Sequence, residues 1–232
     1  MNISQFLKQI KQKQQLAILL DPDKLKLNRV AEVLATIPKP TNFLLIGGSF
    51  VSQGKTNAIV KEVKKYTTLP VILFPGDYKQ FSDQADAILF LSLLSGENAQ
   101  FLISHQLKAA PKIKKARLPV IPTGYILIDG GNHSGVAKKS KTNPIDQNNI
   151  DQIVNTAITA EYLGKKLIYL EAGSGAKKSV DVKIIQSVAN QVELPIIVGG
   201  GFKTKTQIKN AYQAGAHVVV VGTAFEENKL IL

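Results

Sequence analysis

The stretch Tyr169–Ala176, YLEAGSGA, joins a carboxylate to a glycine-rich turn. Glu171 falls where the apolar run begun at Leu167 ends, and Gly173, Ser174 and Gly175 follow at once. Backbone N–H groups in such a turn are left free to converge on an anion. A carboxylate beside them suits proton chemistry on a phosphorylated substrate, although the same residues also serve as a plain turn with an acidic cap. Two later apolar runs end in the same way, PIIVGGG at Pro195–Gly201 and HVVVVGT at His217–Thr223. Three successive glycine endings point to one phosphate-binding rim, and Gly199 allows a close backbone approach there.

A second cluster lies early in the chain, where Asp21-Pro22-Asp23-Lys24 closes the apolar run Gln15–Leu20. Two acids at i and i+2 offer hard oxygen ligands to magnesium, which typically takes one or two carboxylates together with substrate phosphates; Asp-Pro-Asp is equally good turn chemistry. Ser49, after Gly47-Gly48 at the end of the next run, Asn42–Ile46, adds a hydroxyl oxygen. Consecutive parallel strands are spatial neighbours, so Asp21 and Ser49 form one corner suited to a metal and a diphosphate. The histidines at 105, 133 and 217 have no ligand spacing, and His105 and Tyr125 read as packing residues.

These residues must be carried by strands. Apolar runs begin near Gln15, Asn42, Pro70, Ala87, Leu118, Leu167, Pro195 and His217, and each is continuous rather than alternating. That pattern fits strands buried on both faces, hence α/β architecture and a closed parallel barrel. The doubly wound alternative lacks a GxGxxG after its first strand. Helices are expected from the 3.6-residue spacing of Val30, Val33, Leu34 and Ile37 behind an Asn28 cap, of Ile59, Val60 and Val63, and of Phe101, Leu102 and Leu107. Further helices are expected over Ile150–Leu163, over Asp181–Val192 with Val182 inward, and after Thr204, whose Gln207 completes a capping box. Ala224–Asn228 suits a short extra helix at the phosphate rim. Strand five is expected within Leu118–Ile121, and Gly130–Asn149 reads as a long polar loop of the kind that forms lids or binding loops. The interval Tyr78–Gln84 is too short for a crossover helix, so the third repeat is irregular.

The 232 residues fit one domain, 1–232, with 44% hydrophobic content and no cysteine. A cysteine-free chain accords with a reducing, cytoplasmic setting, and the N-terminal helix pattern of Ile3, Phe6, Leu7 and Ile10 is neither a signal peptide nor a membrane span. A formal charge of +12 favours anionic partners. The densest basic clusters, Lys108–Lys115 and Lys138–Lys141, are not interleaved with aromatic residues, which argues against a nucleic-acid surface and leaves anionic metabolites or a peripheral anionic membrane.

Taken in order, LLDPDK, LLIGGS, PTGYILIDGG, YLEAGSGA, IVGGG and VVVVGTA resemble the geranylgeranylglyceryl phosphate synthases, with the related heptaprenylglyceryl phosphate synthases, over nearly the whole chain. Leu19 stands where another branch of that family carries a lysine. The resemblance implies a modified (β/α)8 TIM barrel and magnesium-dependent transfer of a prenyl group from its diphosphate to the 3-hydroxyl of sn-glycerol 1-phosphate. It further implies magnesium at Asp21 and Ser49, and glycerol phosphate held by Tyr169, Leu170, Glu171, Ala172, Gly173, Ser174, Gly175, Gly200, Gly201, Gly222 and Thr223. A homo-oligomer is also implied. The residue chemistry agrees, with Glu171 as the base for the attacking hydroxyl and Tyr169 positioning it. The alternative is a barrel that uses the same phosphate rim on a phosphorylated sugar or other small metabolite.

Overall fold

In a computed structural model covering residues 1–232, eight strands close into a parallel barrel in sequence order. Helix α1 (Ile3–Gln12) leads into β1 (Gln15–Leu20), α2 (Val30–Ala35), β2 (Thr41–Ile46), α3 (Lys55–Tyr66) and β3 (Val71–Leu73). Then follow β4 (Ala87–Leu93), α4 (His105–Ala116), β5 (Val120–Leu127), α5 (Gly135–Ser140), α6 (Ile150–Tyr162) and β6 (Leu167–Glu171). The chain ends with α7 (Val182–Ala189), β7 (Ile196–Gly199), α8 (Lys205–Gln213), β8 (Val218–Val221) and α9 (Thr223–Glu226). No helix is long and apolar enough to cross a membrane.

Because strand side chains alternate, each strand feeds two cores. One packs the strands against the outer helices and includes Ile18, Leu44, Ile168, Leu170, Val198 and Val219. The other fills the barrel itself, with Ala17, Phe43, Leu45, Ile72, Leu89, Tyr125, Tyr169 and Val220. Phe6 and Ile10 of α1 join this inner core, Phe6 edge-on to Phe43 with ring centroids 5.5 Å apart. The amphipathic face read at the N-terminus thus plugs one end of the barrel, leaving the other end to carry the loops that follow the strands.

The third repeat has no helix: 74–86, between β3 and β4, is irregular. The fold therefore has the irregularity that the short interval implied. Several boundaries differ from expectation. Strand β5 runs through Pro122 to Leu127, so Tyr125 is a barrel-interior residue and not part of a loop after the strand. The proline is tolerated because its carbonyl still accepts a ladder bond from Lys166 N at 2.8 Å, and only its missing donor interrupts the pattern. Asn28 lies inside a 3₁₀ turn, Leu27–Arg29, and does not cap α2. Val182 is the first residue of α7 and is exposed, while Ile184 takes the buried position. The helix after β4 opens with a π turn at Gln100–Ser104, and the polar segment 130–149 contains α5, capped by Ser134. The capping box at Thr204 and Gln207 forms as the sequence pattern indicates.

Candidate active site

Strand register assembles the centre of the open mouth. Tyr125 pairs with Tyr169 and Leu127 with Glu171 across β5 and β6, while Glu171 pairs with Gly199 across β6 and β7. The Tyr169 ring stacks on Phe74 at 5.0 Å between centroids, and Tyr125 leans on both. Above this aromatic floor the Glu171 carboxylate is buried, its Oε1 accepting a 2.7 Å hydrogen bond from Gly173 N. Burial pushes the Glu171 carboxyl up to about 7, outweighing the Gly173 N–H and the Tyr169 hydroxyl, which pull the other way. The hydroxyls of Tyr125 and Tyr169 are buried without a well-formed hydrogen bond, and burial followed by the nearby carboxylate holds both phenols protonated. Two unpaired phenols and a carboxylate at the edge of ionisation are costly in a core and suited to meeting a substrate.

The glycines of β7 make room for this group. A Cβ on Gly199 would lie 2.6 Å from the Tyr169 hydroxyl and 3.0 Å from Glu171 Oε2. One on Gly200, whose φ is +85°, would lie 2.7 Å from both Glu171 Oε1 and Gly173 N. The turn is thereby drawn against the carboxylate.

A cavity of about 520 Å3 opens over the floor. Its wall on the β6–β8 side includes Ser174, Gly175, Gly200, Gly201, Gly222 and Thr223. The backbone N–H groups of Ser174, Gly175, Gly200, Gly201 and Gly222 make no hydrogen bond within the chain, so this wall presents unpaired donors. Ser174 Oγ and Thr223 Oγ1, 3.0 Å apart, tie the β6 loop to the start of α9. Asp21, Gly48 and Ser49 line the other side, beside Tyr169 and Glu171 in the same cavity. Asp21 and Glu171 therefore share one end of the barrel.

Not every expected residue faces this space. Leu170 and Ala172 point outward into the helix-facing core, because alternation along β6 sends Leu167, Tyr169 and Glu171 inward and, of these, Tyr169 and Glu171 reach the mouth. Gly173 turns its N–H to Glu171, leaving none for a ligand. Asp23 is likewise engaged elsewhere, accepting from the Ser52 amide and hydroxyl at about 3.0 Å, so the two acids of DPD do not act as a pair. Asp21 Oδ1 accepts from Asp23 N, while Oδ2 has no donor and lies against Gly48. Burial raises the Asp21 carboxyl from its usual value, offset by the Asp23 N–H, with Glu226 adding to the rise.

Other lining residues carried too little local signal to be singled out. Glu226 of α9 accepts from Asp21 N at 3.0 Å and from Lys24 Nζ at 2.7 Å, bracing the β1 loop against the end of α9. His133, Ser134, Lys203 and Lys229 also border the cavity. A narrower apolar cavity of about 100 Å3 adjoins it, sharing Phe74, Tyr125 and Val136, and runs between β4 and α4 past Phe90, Leu91, Phe101 and Ala109. It occupies the side of the barrel where the third crossover helix is missing.

A protected carboxylate, a wall of free backbone amides and an apolar branch are thus arranged around one floor, and the chain matches the model of the PcrB family over residues 8–231. The chain belongs to the PcrB family. A relative from Zunongwangia profunda, named geranylgeranylglyceryl phosphate synthase, is 48% identical over 217 residues, 94% of this chain and 93% of the relative. The protein of the same name from Flavobacterium johnsoniae is 51% identical over 214 residues, 92% and 88% of the two chains. Among solved structures, the (S)-3-O-geranylgeranylglyceryl phosphate synthase of Thermoplasma acidophilum, in complex with its substrate sn-glycerol-1-phosphate, superposes with a TM-score of 0.88 at 30% identity, covering 97% of this chain and 91% of that one. This PcrB-family chain thus shares sequence and barrel with those enzymes along nearly its whole length.

Proposed function

We infer that the protein is a prenyltransferase that moves a geranylgeranyl or other long prenyl group from its diphosphate to the 3-hydroxyl of sn-glycerol 1-phosphate. The observation that carries this reading is the junction of a wall of free backbone amides with an apolar branch at a buried acid–phenol group. A phosphorylated-sugar reaction uses the wall and the acid but leaves the apolar branch without a role.

In this reading the phosphate of glycerol phosphate takes the free amides of Ser174, Gly175, Gly200, Gly201 and Gly222, with Thr223 beside them. The glycerol 3-hydroxyl lies toward Tyr169 and Glu171. As the prenyl C1–O bond breaks, its electron pair leaves with the diphosphate, and the glycerol oxygen forms the new ether bond at C1. Glu171 takes the hydroxyl proton, and the Tyr169 phenol keeps the hydroxyl aligned. The prenyl chain lies in the apolar branch, whose wall keeps water from the electron-poor carbon.

Asp21 and Ser49 are the residues suited to magnesium. Asp21 keeps an oxygen with no donor, the Ser49 hydroxyl has no hydrogen-bond partner, and both border the cavity. Such a sparse set of hard oxygens fits an ion that draws its remaining ligands from phosphate and water. When bound, magnesium neutralises charge developing on the departing diphosphate. The protein works as a homo-oligomer in this reading, which follows family resemblance and not the site.

The test is incubation of purified protein with labelled glycerol 1-phosphate, magnesium and prenyl diphosphates of several lengths, followed by extraction into organic solvent. Label moving into the organic phase with a long donor is expected. Label left in water with every donor would overturn the reading.

A further inference from the structure

Helix α4 has two apolar sides. Its inner side supplies Phe101, from the preceding π turn, with His105 and Ala109 to the wall of the apolar branch. Its outer side carries Leu107, 66% exposed, in line with Ile103 of the same π turn, 52% exposed, and followed by exposed Ala110 and Pro111. These recur three or four positions apart and form a continuous stripe on the solvent face of a helix whose core contacts lie opposite. A helix covering a barrel needs only one apolar stripe, so the second is unexplained by folding.

The charge on this helix is also one-sided. Lys108, Lys112, Lys114, Lys115 and Arg117 all belong to α4 or its C-cap and are exposed, and no acidic residue occurs from Asn98 to Ile128. None of these cations forms an ion pair within the chain. At the groove side, Lys108 and Lys79 stand over the Tyr78 ring, 5.1 and 5.9 Å from its centroid, and Tyr78 itself lines the apolar branch. Exposed aliphatic residues flanked by unpaired lysines are the composition of a helix that lies in a membrane interface, its apolar side in the acyl boundary and its cations at anionic headgroups.

We propose that the outer face of α4 docks this protein on anionic lipid bilayers, with Ile103 and Leu107 entering the interface and the Lys108–Arg117 cations meeting headgroup phosphates. Docked in this way, α4 is the wall between bilayer and apolar branch. A donor with a long prenyl tail then reaches the branch without crossing open water, and the lipid product leaves by the same side. The proposal rests on the prenyl-transfer reading only for that benefit; vesicle binding is independent of it.

Sedimentation of the intact protein with vesicles of phosphatidylglycerol or phosphatidylcholine, at low and high salt, tests the proposal. Binding is expected to phosphatidylglycerol alone and to weaken with salt. Each lysine near an anionic surface is worth about fivefold in affinity, so Lys112→Gln/Lys114→Gln/Lys115→Gln should lose on the order of a hundredfold. Ile103→Ser/Leu107→Ser should lose binding while keeping its circular dichroism spectrum, since neither side chain supports the core. Both variants should retain wild-type turnover with water-soluble geranyl diphosphate, a separate readout that distinguishes failure of docking from failure of the proposed reaction. Failure of the wild type to bind phosphatidylglycerol, or equal binding by all three proteins, would overturn the proposal. So would dissociation of an oligomer by the Ile103/Leu107 change, which would make the stripe a subunit contact.

Discussion

Strands β6, β7 and β8 each run into glycine, whereas β3 runs into Pro75-Gly76-Asp77 and the chain reaches β4 without forming a helix. The late side of the mouth is built from backbone: free amides, positive-φ glycines and a carboxylate held by Gly173 N. The early side is built from side chains, with Phe74, Phe90, Leu91 and Phe101 lining the gap left by the missing helix. Backbone donors recognise a small anion whatever is attached to it, while a side-chain wall recognises length and shape. The same barrel can therefore hold one reactant rigidly and admit another by size, and mutations on the two sides should fail differently.

The largest effect is expected at the point where the sides meet. Glu171→Gln keeps an acceptor for Gly173 N but removes the group proposed as the base, so turnover should fall by about a hundred- to ten-thousand-fold while calorimetric binding of glycerol phosphate persists. Turnover near wild type would remove Glu171 from the base role. The acid must be ionised to accept the proton, so wild-type kcat/KM should rise as pH climbs through about 7. Stability runs the other way. A carboxyl whose folded value lies near 7 against 4.5 in the unfolded chain binds more protons when folded, so its contribution to stability is lost as pH rises through 7. Glu171→Gln should accordingly be more stable than wild type at pH 8, by roughly 1–3 kcal/mol in urea melts.

Next in size is Gly200→Ala on the backbone side. The new methyl meets Glu171 Oε1 and Gly173 N at 2.7 Å, in a φ region that costs non-glycine residues about 1–2 kcal/mol. Glycerol phosphate should bind at least roughly tenfold more weakly, and donor binding should be little changed. On the side-chain side, Ala109→Phe should do the reverse. Filling the apolar branch raises KM for a long donor by roughly tenfold and leaves glycerol phosphate affinity and short-donor turnover intact. Equal loss of both substrates in either variant would break the division between the two sides.

This division also explains what could be read from sequence. The late side was legible because it is built from glycines and chain direction: YLEAGSG, VGGG and VGT mark strand ends whatever packs behind them. Alternation along β6 offered a further signal, since Tyr169 and Glu171 facing inward requires Leu170 and Ala172 to face outward. The early side was legible only as an omission, the missing crossover helix. Its lining comes from the segment after β3 and from β4, β5, α4 and α5, which meet only through tertiary packing, and Pro122 concealed the extension of β5 that places Tyr125 in the interior. The Lys24–Glu226 brace joins positions 202 residues apart and left no local pattern to find.

The smallest effect is expected at an ion-pair strap beside the apolar branch. Lys139 of α5 pairs with Asp77 of the third repeat at 2.6 Å, each side chain under one-fifth exposed, and Lys139 also lies 5.5 Å from the Phe50 ring centroid. Burial works against the Asp77 charge, but the Lys139 pair and the Lys79 N–H outweigh it and lower its carboxyl below the usual value. The pair therefore stabilises the fold above the ordinary aspartate range and loses that contribution as acid protonates Asp77. Lys139→Met should cost about 1 kcal/mol at neutral pH and progressively less in acid, followed by denaturant melts across that range. Both residues border the apolar branch, whose volume of about 100 Å3 is small for a long chain. Releasing the strap should therefore lower KM for a long donor by a few fold, with glycerol phosphate binding unchanged. A change confined to glycerol phosphate would assign the strap to the backbone side instead.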